Sequence, residues 1–183
     1  MRPKLLVSSC LLAVVFLVVA LRGPWGSAMA DDGTRFDISL HGISHVLHPT
    51  VPRSDRKDCA YLTGKGAVEF CTPSSESDAP YSMLCSAFPM ILSGLVLAFA
   101  SGLVSYVSPY GARGTAATLS AASLAAVFIG TVVAQISMPR AFRILDEIPL
   151  QMGGFAFRSI WIAMGFLLFA AALSTTSTML RHT

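Results

Sequence analysis

Asparagine is absent from this 183-residue chain, so it carries no acceptor for N-linked glycosylation. Charge is scarce: 13% of residues are charged against 54% hydrophobic, a balance outside the range of ordinary soluble domains. The scarcity is also uneven. Between Lys65 and Arg140 the only basic residue is Arg113, and between Asp78 and Asp146 there is no acid. A scattered net charge of +3, with no basic stripe or aromatic platform, argues against nucleic acid as a partner. No phosphate-binding glycine loop, metalloprotease motif or nucleophile elbow is present, and no serine has a His and Asp setting. The chain therefore reads as non-enzymatic, with no catalytic residue, cofactor, metal or small-molecule substrate expected. Membrane lipid is the solvent implied.

What is present is a series of long uncharged runs. Thr115 to Met138 is one, and at about 1.5 Å per residue it crosses a hydrocarbon core about 30 Å thick. Leu84 to Val107 is another, with Pro89 near one end, where neighbouring helices can satisfy the freed carbonyl. A further helix is expected over 154–180, with Arg158 snorkelling to the headgroups and Trp161 in the interfacial belt. The two central helices contain no Asp, Glu, Lys, Arg or His, which disfavours a proton-coupled pump or a charged-substrate transporter.

The first run, within residues 1–21, has two readings. Arg2 and Lys4 followed by the uncharged stretch Leu5 to Leu21 make a first spanning helix with its start in the cytosol. The same start, with Pro24, Gly26 and the small-x-small site Ala28-Met29-Ala30, makes a cleavable signal peptide. The run exceeds the usual ~7–15 residues and Ala30 lies far beyond its end, which favours retention. Either reading places residues 22–83 outside, a seven-residue cytosolic link at 108–114, a second outer loop at 139–153 and a cytosolic tail at 181–183.

Small residues recur at every fourth position. Gly94, Ala98 and Gly102 do so in the second helix; Gly114, Thr118, Ala122, Ala126, Gly130 and Ala134 do so around the third. Such spacing lets helix backbones approach closely, and these residues are the expected packing positions.

The outer loop is polar. Phe36, Ile38 and Leu40 alternate with polar neighbours, as in a half-buried strand. Cys59 and Cys71 flank AYLT-Gly64-Lys65-Gly66-AVEF, where the glycines suit a tight hairpin loop centred on Lys65. Opposed residues there have Cα atoms about 4.5–5.5 Å apart, so a Cys59–Cys71 disulfide is expected in an oxidising compartment. Cys10 reads as a packed thiol inside the first run, and Cys85 lies at the mouth of the second helix. His41, His45 and His48 have helical metal-ligand spacing. Gly42, Pro49 and the preceding strand pattern argue against a helix, so they read as loop histidines.

Two stretches carry a resemblance. Cys59-Ala-Tyr-Leu-Thr-Gly-Lys followed by Cys71 is similar to the amastin signature, with Thr63 where that signature has tryptophan. Gly153-Gly154-Phe155-Ala156-Phe157 leading to Trp161 is similar to the start of the last helix in amastins and claudins. The layout resembles the amastin-like and claudin-like tetraspan superfamily, and fungal cortical tetraspans share it. The expected fold is an all-α integral membrane protein, a four-helix transmembrane bundle carrying a small disulfide-bonded extracellular β-rich domain. The resemblance implies a multi-pass protein of the plasma membrane or cell surface, entered through the secretory pathway. Its role would be surface organisation, adhesion or auxiliary-subunit binding, with other membrane proteins or copies of itself as partners. Lys65, Arg140, Arg158 and Trp161 are the candidate interface residues. An ion-selective pore or transport component, and a structural subunit of an organellar membrane complex, are the alternatives.

Overall fold

A computed structural model describes residues 3–29, 35–40, 42–46, 79–108, 113–141 and 151–179. Among them, four helices carry the fold: α1 (Pro3–Arg22), α2 (Ala79–Val107), α3 (Arg113–Ala141) and α4 (Phe155–Met179). Each holds a window long and apolar enough to cross a membrane: Lys4–Arg22, Ser86–Val107, Gly114–Met138 and Phe155–Thr175.

Only 33–39% of each window is buried inside the protein. The outward positions are nevertheless apolar, with Leu11, Phe99, Phe128 and Leu168 each about half exposed or more. A water-facing helix would place polar side chains there, so hydrocarbon is the solvent these faces match. The chain is built as a multi-pass membrane protein.

The helices form a closed square. α1 packs on α2, α2 on α3, α3 on α4, and α4 returns to α1. Each gives one stripe at three- and four-residue spacing to the core: Ala13, Leu17 and Ala20 from α1, Ala87, Ile91 and Ala98 from α2, Val127, Ala134 and Met138 from α3, and Ile160, Ala163 and Leu167 from α4. The helices outrun the uncharged windows. α2 begins at Ala79 rather than Leu84, and α3 runs from Arg113 through Arg140 to Ala141, past the expected end at Met138. Hydropathy marks only the length that lies in hydrocarbon, whereas the backbone ladder continues into the interface at no cost. Arg140 therefore belongs to the last turn of α3 and not to a loop.

One end of the bundle carries a sheet of four short strands: β1 (Gly26–Met29), β2 (Arg35–Ser39), β3 (Gly42–Val46) and β4 (Gln151–Met152). Its order is β3-β2-β1-β4, antiparallel throughout. Of the alternating residues, Phe36 and Ile38 fall on β2 and Leu40 on the turn just after it, and Ile38 and Leu40 are buried. β4 comes from the connection before α4 and pairs with β1, Gly26 against Met152 and Ser27 against Gln151. The sheet thus joins the segment after the first helix to the segment before the last. His45 sits in β3 opposite Phe36. His41, His48, Cys59, Lys65 and Cys71, and with them the expected disulfide hairpin, lie outside the described residues.

Candidate functional site

The junction between sheet and bundle is built on Trp25, which is fully buried. α1 makes its last helical bond from the Gly23 N–H to the Val19 carbonyl, 2.9 Å. The next carbonyl, on Ala20, would take an N–H from residue 24, but residue 24 is proline and has none. The indole of Trp25 supplies the missing donor, its Nε1–H reaching the Ala20 oxygen at 2.7 Å. A helix end that would otherwise bury a bare acceptor is thereby satisfied.

The backbone of the same residue ties the surrounding elements together. The Trp25 N–H donates to the Ile38 carbonyl at 2.7 Å, and its own carbonyl accepts the N–H groups of Gly153 and Gly154 at 3.2 and 3.1 Å. The Pro24 carbonyl accepts from Ala156 at 3.2 Å, taking up one of the free donors at the start of α4. Gly153 has φ of +148°, a conformation side-chain-bearing residues rarely adopt. A Cβ on Gly154 would overlap the Pro24 carbonyl oxygen. Gly153 is thus required by its backbone conformation and Gly154 by the close crossing of two backbones.

An aromatic series runs outward from this point. The Trp25 ring meets Phe157 edge-on at 5.9 Å between centroids, and Phe157 meets Trp161 at 6.3 Å. Trp161 is half exposed and Arg158 is exposed on the same helix. These two candidate interface residues lie near the sheet end. The side chain of Arg140 and the whole of Lys65 are outside the described residues.

The small-residue positions separate into used and unused sets. Gly94 faces α3, where a Cβ would overlap Val127, and the Ser123 hydroxyl donates to the Gly94 carbonyl at 2.6 Å. Gly102 faces α1, with the Cys10 Cβ at 3.1 Å from an added Cβ, and Ala98 is fully buried. Gly130 and Ala134 are buried, Gly130 against Ile91 and the Ala87 carbonyl. Gly114, Thr118 and Ala122 are exposed, and nothing lies within 4 Å of an added Cβ on Gly114. Ala126 is intermediate. A straight helix turns about 40° past a full circle for every four residues, so this stripe winds from the outer surface into the α2–α3 contact.

A polar node lies at the meeting of α1, α2 and α3. The Ser101 hydroxyl donates to the Ala116 carbonyl at 2.9 Å. It also lies 2.8 Å from the Ser120 hydroxyl and accepts the Cys10 thiol at 3.9 Å. With one proton of its own committed to Ala116, Ser101 must accept from Ser120 as well as from Cys10. All three side chains are buried. Most other buried hydroxyls, including Ser105, Thr131 and Ser174, bond carbonyls of their own helix; Ser137 has no partner among the described residues. Among the described residues no group of three His, Cys, Asp or Glu gathers to hold a metal. The arrangement is one of helix contacts, with hydroxyls used for packing.

Trp25 and the Ser101 node were not singled out by sequence spacing. The signal for Trp25 is the Pro24-Trp25 pair after a helix, one residue removing a donor and the next able to restore it. No family model matches the chain, and no curated protein matches it.

Proposed function

We propose that the chain is a non-enzymatic, multi-pass surface protein that acts by lateral helix association beneath a small extracellular recognition domain. The reading follows the amastin-like and claudin-like layout it resembles. The observation that carries it is the unused half of the α3 stripe. Gly94, Gly102 and Gly130 are all consumed in packing the bundle, whereas Gly114, Thr118 and Ala122 present a smooth face outward. In lipid, where apolar burial gives helices no reason to meet, such a face favours close contact with another helix.

On this reading the sheet end faces the cell exterior at the plasma membrane, reached through the secretory pathway. Cys59 and Cys71 form the disulfide that clamps its hairpin, and Lys65, Arg140, Arg158 and Trp161 meet the partner. α1 is retained, since it contributes Cys10, Ala13, Leu17, Ala20 and Leu21 to the buried core. The test is oxidative crosslinking in native membranes. Thr118→Cys or Ala122→Cys should give a disulfide-linked pair between copies or to a neighbour, and Leu168→Cys on the outward face of α4 should not. Monomers alone at all three positions would sink the proposal.

A further inference from the structure

At the end of the bundle away from the sheet, a furrow of about 230 Å³ runs between α1 and α2 and opens sideways to the lipid. Its floor is small: Cys10, Ala98 and Gly102, with an added Cβ on Gly102 only 3.1 Å from the Cys10 Cβ. Its walls are large: Val7 from α1 and Phe99 and Tyr106 from α2. Phe99 is 54% and Tyr106 74% exposed, so the walls stand proud of the floor. From Val7 to Val14 the furrow follows about 11 Å of helix. The surface it offers is apolar throughout, which suits a hydrocarbon chain and repels water.

The furrow's outer end is polar. Lys4 stands three residues before Val7 on the same helix face and is exposed, and Tyr106 is the penultimate residue of α2. The sequence that bounds these helix termini carries one sign of charge: residues 1–4, 108–114 and 180–183 hold Arg2, Lys4, Arg113 and Arg181 and no acid. We propose that the α1–α2 furrow is a binding site for one anionic phospholipid of the adjacent leaflet, an acyl chain lying on Ala98 and Gly102 and the phosphate meeting Lys4 and the Tyr106 hydroxyl. Uniform positive charge favours an anionic headgroup over a zwitterionic one and gives a sterol no electrostatic advantage.

Native mass spectrometry of the full chain, released from micelles containing equal phosphatidylserine and phosphatidylcholine, tests this. The wild-type protein should retain one phosphatidylserine, at about fivefold preference, the worth of one lysine near a charged surface. Lys4→Gln should remove the preference while leaving total bound lipid unchanged, and Tyr106→Phe should reduce it. Val7→Trp, which fills the furrow from its wall, should lose the bound lipid of either kind with the unfolding midpoint in lipid-free detergent unchanged. Equal retention of both phospholipids by the wild type, retention of an added sterol in their place, or an unaltered preference in Lys4→Gln would overturn the proposal.

Discussion

Replacing Trp25 by phenylalanine keeps most of the buried ring and removes the one donor that Pro24 makes necessary. The Ala20 carbonyl is then bare in a dry site, at a cost of about 1–3 kcal/mol. Trp25→Ala also leaves a cavity and should cost about 3–5 kcal/mol, read as a larger fall in the denaturant midpoint in mixed micelles. Glycines differ in the same way according to what faces them. Gly154→Ala should destabilise the junction, because its Cβ meets the Pro24 carbonyl. Gly165→Ala has open space and should be neutral or stabilising by up to about 1 kcal/mol, through helix propensity. A reversal of that order in thermal unfolding would contradict the close backbone crossing. Ser101→Ala removes the acceptor for two donors and should cost about 1 kcal/mol, a modest figure because donors in membranes find other partners. None of this was readable from spacing. A hydroxyl's partner lies on another helix, and sequence order does not reveal which.

At the scale of the helix, hydropathy located all four spans, since a run without charge is an intrinsic property of the segment. It placed the ends less well, because charged and polar residues at 79–83 and 139–141 continue the ladder into the interface. The small-residue stripe was legible as a pattern but not as a face. A strict four-residue repeat over 114–134 rotates about 200° around a straight helix, so one rule covers both interior and exterior positions. Leucine scanning separates them. Ala134→Leu should overpack the core and cost about 1–3 kcal/mol. Ala122→Leu should leave the unfolding midpoint within about 0.5 kcal/mol of wild type while weakening crosslinking between copies. Loss of midpoint in Ala122→Leu would place that residue inside the bundle.

For the molecule as a whole, the two-residue β4 is the least legible element and has the longest reach. Its pairing with β1 depends on bringing positions 26–27 and 151–152 together, and no local signal announces a contact of that separation. His45, expected in a loop, lies instead on a strand, so the helical spacing at 41, 45 and 48 does not correspond to a helix there. Ser27 and Gln151 are directly opposed in the ladder. The double variant Ser27→Cys, Gln151→Cys should form a disulfide on mild oxidation and raise stability by about 2–4 kcal/mol, measured as a reductant-sensitive shift in the unfolding midpoint. Failure to crosslink would show that the strands are not neighbours.

That same pairing sets an order on synthesis. The strand following the first helix keeps a bare edge until residues 151–152 leave the ribosome, a delay of about 6–25 s at common elongation rates. During that interval the Trp25 carbonyl awaits the two glycines that will cover it. A nascent chain halted before position 151 would present an unclosed seam to the membrane quality-control machinery, however completely its first three helices had inserted.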